Sequence, residues 1–197
     1  MKMLIDNLNK YRIILASRSV RRQQLLRDLG IDFEIVLKDF DESFPIELEG
    51  EEIARYVAEN KAIAFAGEIK ENELMITADT IVWCSGRVLG KPADAGEAAV
   101  MLREISGRTH EVITGVSIMT YNKKVIFTES TKVTFKVMTD REIYYYIEKY
   151  APYDKAGAYG IQEWIGMAAC SHIEGSYFNV VGLPVQRLYE ELKLILT

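Results

Sequence analysis

Arg12-Ile13-Ile14-Leu15-Ala16-Ser17-Arg18-Ser19-Val20-Arg21-Arg22 reads in two halves. Residues 12–17 are an apolar run of the length of a short buried strand. From Ser19 a helical pattern passes through Leu25, Leu26 and Leu29 and stops at Gly30. Strand, serine-rich turn and helix form the opening unit of an α/β fold. The same stretch holds the strongest chemical anomaly of the chain. With Ser19 as N-cap, Arg21 and Arg22 fall in the first helical turn, where the positive end of the dipole disfavours a cation by ~0.3–1 kcal/mol. An anion reverses that sign. Free backbone N–H groups, two hydroxyls and two guanidiniums make a phosphate cradle there, with forked contacts from arginine. The alternative is a capped helix whose arginines are solvated.

Outward from this unit, Phe33–Val36 reads as a second strand, followed by an acidic loop with Asp39, Asp41 and Glu42. A helix is expected from Glu51 to Phe65, with Glu51 and Glu52 favoured by the dipole in its first turn. Leu74–Asp79 is a third strand, continuing through Thr80 to Trp83, with Ser85-Gly86 as a turn. Asp94 and Glu97 resemble a capping box for a helix ending near Ile105. His110–Thr120 and Lys124–Val137 read as an antiparallel hairpin, and Thr139 caps a helix through Tyr150. Beyond the Gly-rich Lys155–Gly160 an irregular region is expected, then a strand at Tyr177–Val181 and a final helix from Pro184. Helices alternate with strands but a hairpin intervenes, which gives an α/β fold with a mixed sheet and flanking helices.

Composition narrows the function. The 197 residues are 49% apolar, and 24 Lys+Arg against 29 Asp+Glu leave a formal charge of −5. That is the make-up of a globular protein and excludes a non-specific binder of long nucleic acid, which needs excess cations to neutralise phosphates. The N-terminal stretch carries Asp6, Lys10 and Arg12, so it does not read as a signal peptide, and no apolar run is long enough for a membrane span. A cytoplasmic location is the expectation. Cys84 and Cys170 lack zinc-site spacing and read as small hydrophobes of a reducing compartment.

Asp79 interrupts an otherwise apolar strand. A carboxylate there must be solvated at the strand end, paired, or bound to a metal. Lys91, in Gly90-Lys91-Pro92, and Lys61 are point charges for a phosphate or else solvated surface residues. One of the acidic residues Asp39, Asp41 and Glu42 is a candidate oxygen ligand for Mg²⁺, which takes few protein carboxylates and completes its shell with water and phosphate. P-loop, dinucleotide-fold, zincin and hydrolase-elbow motifs are absent, and His110 and His172 are solitary, so a histidine base is not indicated. Tyr144-Tyr145-Tyr146 on a helix point in different directions and read as core and rim rather than a stacking platform. Helix-start cations, a strand carboxylate and no histidine base point to metal-assisted chemistry on a phosphate-bearing small molecule.

The sequence also resembles the Maf proteins, house-cleaning nucleoside triphosphate pyrophosphatases. The matching stretches are Ile14–Arg22, Ala78–Val82, Gly90-Lys91-Pro92, Leu102–Thr114, Asp154–Gln162 and Gly175–Pro184, in family order. The resemblance implies an elongated twisted sheet with two lobes around a nucleotide cleft, as in inosine triphosphatases. It implies hydrolysis between the α- and β-phosphates, with Mg²⁺ or Mn²⁺. Asp79 matches the catalytic carboxylate and a metal ligand, Ser17, Arg21 and Arg22 the triphosphate-binding positions, and Lys91 and Lys61 the phosphate-facing lysines. Glu42 is the choice for a second metal ligand. Arg21, Thr80 and Gln162 match the branch acting on dTTP and UTP, which extends to modified pyrimidine nucleotides. A glutamine amide suits a pyrimidine's alternating carbonyl and N–H edge. Two positions depart from the family: Val20 replaces its usual Pro, and Glu163-Trp164 follow Gln162 where Gly is common. Residues 1–10 are unmatched and are read as an extension, leaving 11–197 as one domain. Members are often dimers, so a homodimer is an expectation. A second function class is a nucleotide-sensing protein that inhibits septum formation.

Overall fold

A computed structural model describes residues 7–196. Residues 1–6 of the expected extension lie outside the described residues, while Leu8 is buried and Tyr11 donates its N–H to the Leu8 carbonyl at 2.8 Å. The strands are β1 (Arg12–Leu15), β2 (Glu34–Ile35), β3 (Glu73–Cys84), β4 (Arg87–Leu89), β5 (Thr109–Thr120), β6 (Lys124–Phe135) and β7 (Cys170–Glu174). The helices are α1 (Val20–Asp28), α2 (Glu51–Ile63), α3 (Ala95–Ile105), α4 (Asp140–Tyr150), α5 (Trp164–Ala169), α6 (Tyr177–Val181) and α7 (Val185–Ile195). A seven-stranded sheet runs β2-β1-β3-β5-β6-β7, with β4 paired to β3. β1 is parallel to β2 and β3, whereas β4 on β3 and β7 on β6 are antiparallel, so the sheet is mixed. The chain divides into two compact units, and β3, β5 and β6 pass from one to the other.

The first unit holds the chain up to Asp79, Thr114–Glu129 and the segment from Gly182. Its opening strand is fully buried at Leu15, and Ser19 caps α1 by accepting the Arg22 N–H at 3.3 Å. Ile14, Phe65, Ile69 and Met75 pack as one apolar cluster. α2 lies close on the sheet because Gly115 has no side chain; a Cβ there would stand 2.1 Å from the Ala54 carbonyl oxygen. The Thr77 hydroxyl donates to the Ala58 carbonyl at 2.8 Å and ties β3 to the same helix. Lys61, three residues further along α2, is thereby brought to the Asp79 end of this part of β3.

The second unit holds Thr80–Ile113 and Ser130–Val181. α3 starts at Asp94, which accepts the Glu97 N–H at 2.9 Å; the Glu97 carboxylate in turn takes the Ala93 N–H rather than that of the cap itself. α4 has a complete capping box between Thr139 and Glu142, which holds the Glu142 carboxyl down at about 2 together with Lys136. Its buried face is Ile143, Tyr146 and Ile147, the spacing of one helical stripe, while Tyr144 and Tyr145 stay exposed. Cys84 is buried and Cys170 partly so, and both are free thiols.

Three expected elements differ. Phe33–Val36 shortens to the two residues of β2. The irregular region after Gly160 contains α5 and β7. Tyr177–Val181 is the helix α6 rather than a strand, despite its β-favouring side chains. Ser176 starts that turn, accepting the Asn179 N–H on its hydroxyl and the Val180 N–H on its carbonyl, both at 3.3 Å. The Asn179 amide then donates to the Val112 carbonyl and the Thr131 hydroxyl, each at 2.9 Å, so tertiary hydrogen bonds override local propensity.

Candidate active site

In the first unit the turn between β1 and α1 separates its two arginines. Successive helical residues point about 100° apart, so one turns inward and the other outward. Arg22 is the inward one, 9% exposed. Its Nε donates to the Gly182 carbonyl and its Nη1 to the Ala78 carbonyl, both at 2.8 Å, and Nη1 also reaches the Ser17 hydroxyl at 3.3 Å. Burial pushes the guanidinium below its ordinary pKa; Asp79 acts against this, Arg21 adds to it, and Glu42 opposes it. Arg22 therefore braces the backbone directly before Asp79. Arg21 is half-buried at the start of the helix, and Ser17 is buried, accepting the Ser19 N–H at 3.2 Å. Arg18 is exposed and faces Asp39 at 3.3 Å, an ion pair of little energetic consequence.

Glu42, Lys61 and Asp79, far apart in sequence, meet around one ammonium group. Lys61 Nζ lies 2.6 Å from Asp79 Oδ1 and 3.1 Å from Glu42 Oε1. Lys61 and Asp79 side chains are only 10% and 17% exposed, whereas Glu42 is 55% exposed. Lys61 also sits over the Phe40 ring, 4.8 Å from its centroid, a partner with no distinguishing mark in the sequence. The pair is desolvated enough that removing one member leaves an uncompensated charge. Two carboxylates sharing one cation offer the hard oxygen donors that a divalent ion uses, and their side chains fit such an ion. No group of three or more His, Cys, Asp or Glu suited to a metal occurs among the described residues. An ion bound by these two carboxylates would need its remaining ligands from phosphate and water.

The second unit places Thr80 half-buried on β3 and Lys91 and Gln162 exposed on loops. The loop that carries Gln162 reaches the one that carries Lys91 through the Gly157 N–H, which donates to the Gly90 carbonyl at 3.0 Å. The same glycine packs on Val82, two residues beyond Thr80 and so on the same strand face. Behind Gln162, Glu163 accepts a hydrogen bond from the Tyr146 hydroxyl, and Lys155 lies 3.2 Å from Glu163 and 2.6 Å from Asp154. This cluster was not foreseen as a cluster; only Glu163 stands out in the sequence, as a departure next to Gln162.

Together these features define an α/β protein with a serine- and arginine-bearing turn at its first helix and a lysine-paired carboxylate on its central strand. The sequence signature described as Maf-like protein matches residues 12–195, and the chain belongs to that family. It is 55% identical over 190 residues to a protein of Flavobacterium johnsoniae named dTTP/UTP pyrophosphatase, covering 96% of this chain and 98% of that one. A protein of Parabacteroides distasonis with the same name is 53% identical over 191 residues, covering 96% and 99%. The solved structure of the Staphylococcus aureus Ham1 protein superposes with a TM-score of 0.46 at 14% identity, over 63% of this chain and 71% of that one. No helix among the described residues is long and apolar enough to cross a membrane.

Proposed function

We propose that this protein is a nucleoside triphosphate pyrophosphatase that hydrolyses dTTP and UTP to the monophosphate and pyrophosphate. The observation that carries the reading is the meeting of Lys61, Glu42 and Asp79 beside the Ser17–Arg22 turn, in a chain 55% identical to a protein of that name. One water is consumed, one phosphoanhydride bond breaks, and the proton of the attacking water goes to Asp79. Lys61, a phosphate-facing lysine by the family resemblance, holds the Asp79 carboxylate in place before substrate arrives. Arg21, Ser17 and the N-terminal N–H groups of α1 bind phosphate oxygens, and Arg22 fixes the backbone on which Asp79 stands. Lys91 offsets charge developing on the leaving phosphates. By the family resemblance Thr80, Arg21 and Gln162 are the positions that go with a pyrimidine substrate, and a glutamine amide can donate to its carbonyl and accept its ring N–H.

Asp79 and Glu42 are the residues that would hold Mg²⁺ or Mn²⁺, which when bound would supply charge neutralisation at the triphosphate. The septum-inhibitor alternative gains nothing from these relatives, which are named for the hydrolytic reaction. Hydrolysis in ¹⁸O-labelled water tests the bond cleaved: dTTP is expected to yield only the monophosphate and pyrophosphate, one of them labelled. Release of inorganic phosphate and dTDP overturns the assignment.

A further inference from the structure

Gln162 is exposed, yet the backbone on both sides of it is fixed. The Glu163 N–H donates to the Gly160 carbonyl at 3.0 Å, closing a turn over residues 160–163. The Gly160 N–H in turn donates to the Tyr146 hydroxyl at 3.0 Å. Tyr146, fully buried on α4, donates its hydroxyl hydrogen bond to Glu163 Oε2, while Glu163 Oε1 faces the Lys155 ammonium at 3.2 Å. Both carboxylate oxygens of Glu163 are thus engaged, one by a helix outside the loop and one by the residue that begins it. The fit is close enough that a Cβ on Gly160 would stand 2.9 Å from the Glu163 carboxyl carbon and 3.1 Å from Lys155 Cε. Burial and the Glu163 charge raise the Tyr146 pKa, so its hydroxyl remains a donor.

We infer that Glu163 is a positioning residue for base selection: clamped by Tyr146 and Lys155, it holds the Gln162 turn in the geometry in which the amide meets a pyrimidine edge. This rests on the reading of Gln162 as the base-contacting side chain. Its carboxylate is spent on the clamp, so it acts through its neighbour and not on the base. Recognition groups must be held within about 0.5 Å of the productive position, and slack in their support is read as lost selectivity rather than lost chemistry.

The test is a double-mutant cycle on the full chain with Mg²⁺, with kcat and KM measured for dTTP and for dATP. Glu163→Ala and Tyr146→Phe are each expected to lower the dTTP to dATP ratio of kcat/KM by about tenfold, through a higher KM for dTTP with kcat changed by less than about twofold. On a Gln162→Ala background the same substitutions are expected to change the ratio by less than about twofold, because the interaction they support is gone. Full persistence of the effect on that background overturns the inference, since Glu163 would then act on the base directly. A lower melting temperature with equal losses on both nucleotides also overturns it. If Gln162→Ala erodes the ratio while Glu163→Ala and Tyr146→Phe leave it unchanged, the inference fails alone. A wild type with no pyrimidine preference, or a silent Gln162→Ala, overturns the base-reading assignment and the inference with it.

Discussion

The charged cluster around Asp79 and the one behind Gln162 are assembled in contrasting ways. The first draws side chains from residues 17–22, 42, 61 and 79, brought together by the parallel β1–β3 pairing, by α2 on the sheet and by the buried Arg22. The second is local: Asp154, Lys155 and Glu163 belong to one loop, and only Tyr146 comes from a neighbouring helix. Within the first cluster Lys61 and Asp79 compensate each other largely out of water, so losing either leaves an uncompensated charge, whereas Glu42 is half exposed. The loop cluster is closed by a clamp on one carboxylate, so a change at Glu163 or Tyr146 bears on the neighbouring Gln162 turn. Glu163 falls in this second, locally built region.

That contrast breaks most visibly at Asp79. Asp79→Asn removes the proposed proton acceptor and is expected to lower kcat by about 10³-fold, within the range for general base catalysis, while the protein still binds dTTP. Steady-state kinetics and nucleotide titration check both halves. The paired arginines come next. Arg22→Ala strips partners from the buried Ala78 and Gly182 carbonyls and is expected to destabilise the fold by about 3 kcal/mol in urea unfolding. Arg21→Ala is expected to leave stability unchanged and to raise KM instead; equal behaviour of the two would remove the distinction between brace and phosphate ligand.

In the second unit, buried His110 supplies a pH signature. Its Nε2 lies 2.8 Å from the Tyr159 hydroxyl, it packs edge-on against Phe135, and burial depresses its pKa to about 4. The folded state keeps His110 neutral where the unfolded chain already binds a proton, so full stability holds above the unfolded value of about 6.5. It falls as pH drops toward 4, by on the order of 3 kcal/mol in all, and levels off below. Urea midpoints measured against pH are expected to show this slope in wild type and to lose it in His110→Gln. The smallest effect is at the loop: Gln162→Ala is expected to erode the pyrimidine preference about tenfold and to leave stability unchanged.

Much of the first unit could be read from the sequence because local chemistry and tertiary structure agree there. Ser19 caps α1 as its spacing predicts, and an apolar run interrupted by one carboxylate became β3, with Asp79 midway along it. Arg21 and Arg22 looked equivalent because spacing places both in one turn; only packing decides which faces inward. Lys61 and Glu42 have no local mark that they share Asp79, since their meeting depends on Gly115 admitting α2 close to the sheet. Around residues 160–181 the local signals misled. Tyr177–Val181 carries strand-forming side chains but is held as a helix by Ser176 and Asn179, while the strand is Cys170–Glu174, whose partner β6 lies far back in sequence.

The central claim is that a lysine-held carboxylate on β3 drives hydrolysis of pyrimidine nucleoside triphosphates. Its most direct measurement is pyrophosphate release by the purified full chain, with Mg²⁺ or Mn²⁺, from dTTP, UTP, dATP, GTP and 7-methyl-GTP, alongside Asp79→Asn. The account predicts pyrophosphate from dTTP and UTP ahead of the purines, and loss of that release in the folded variant. Turnover of none of the five by wild type, purine preference, or undiminished turnover by Asp79→Asn would contradict it.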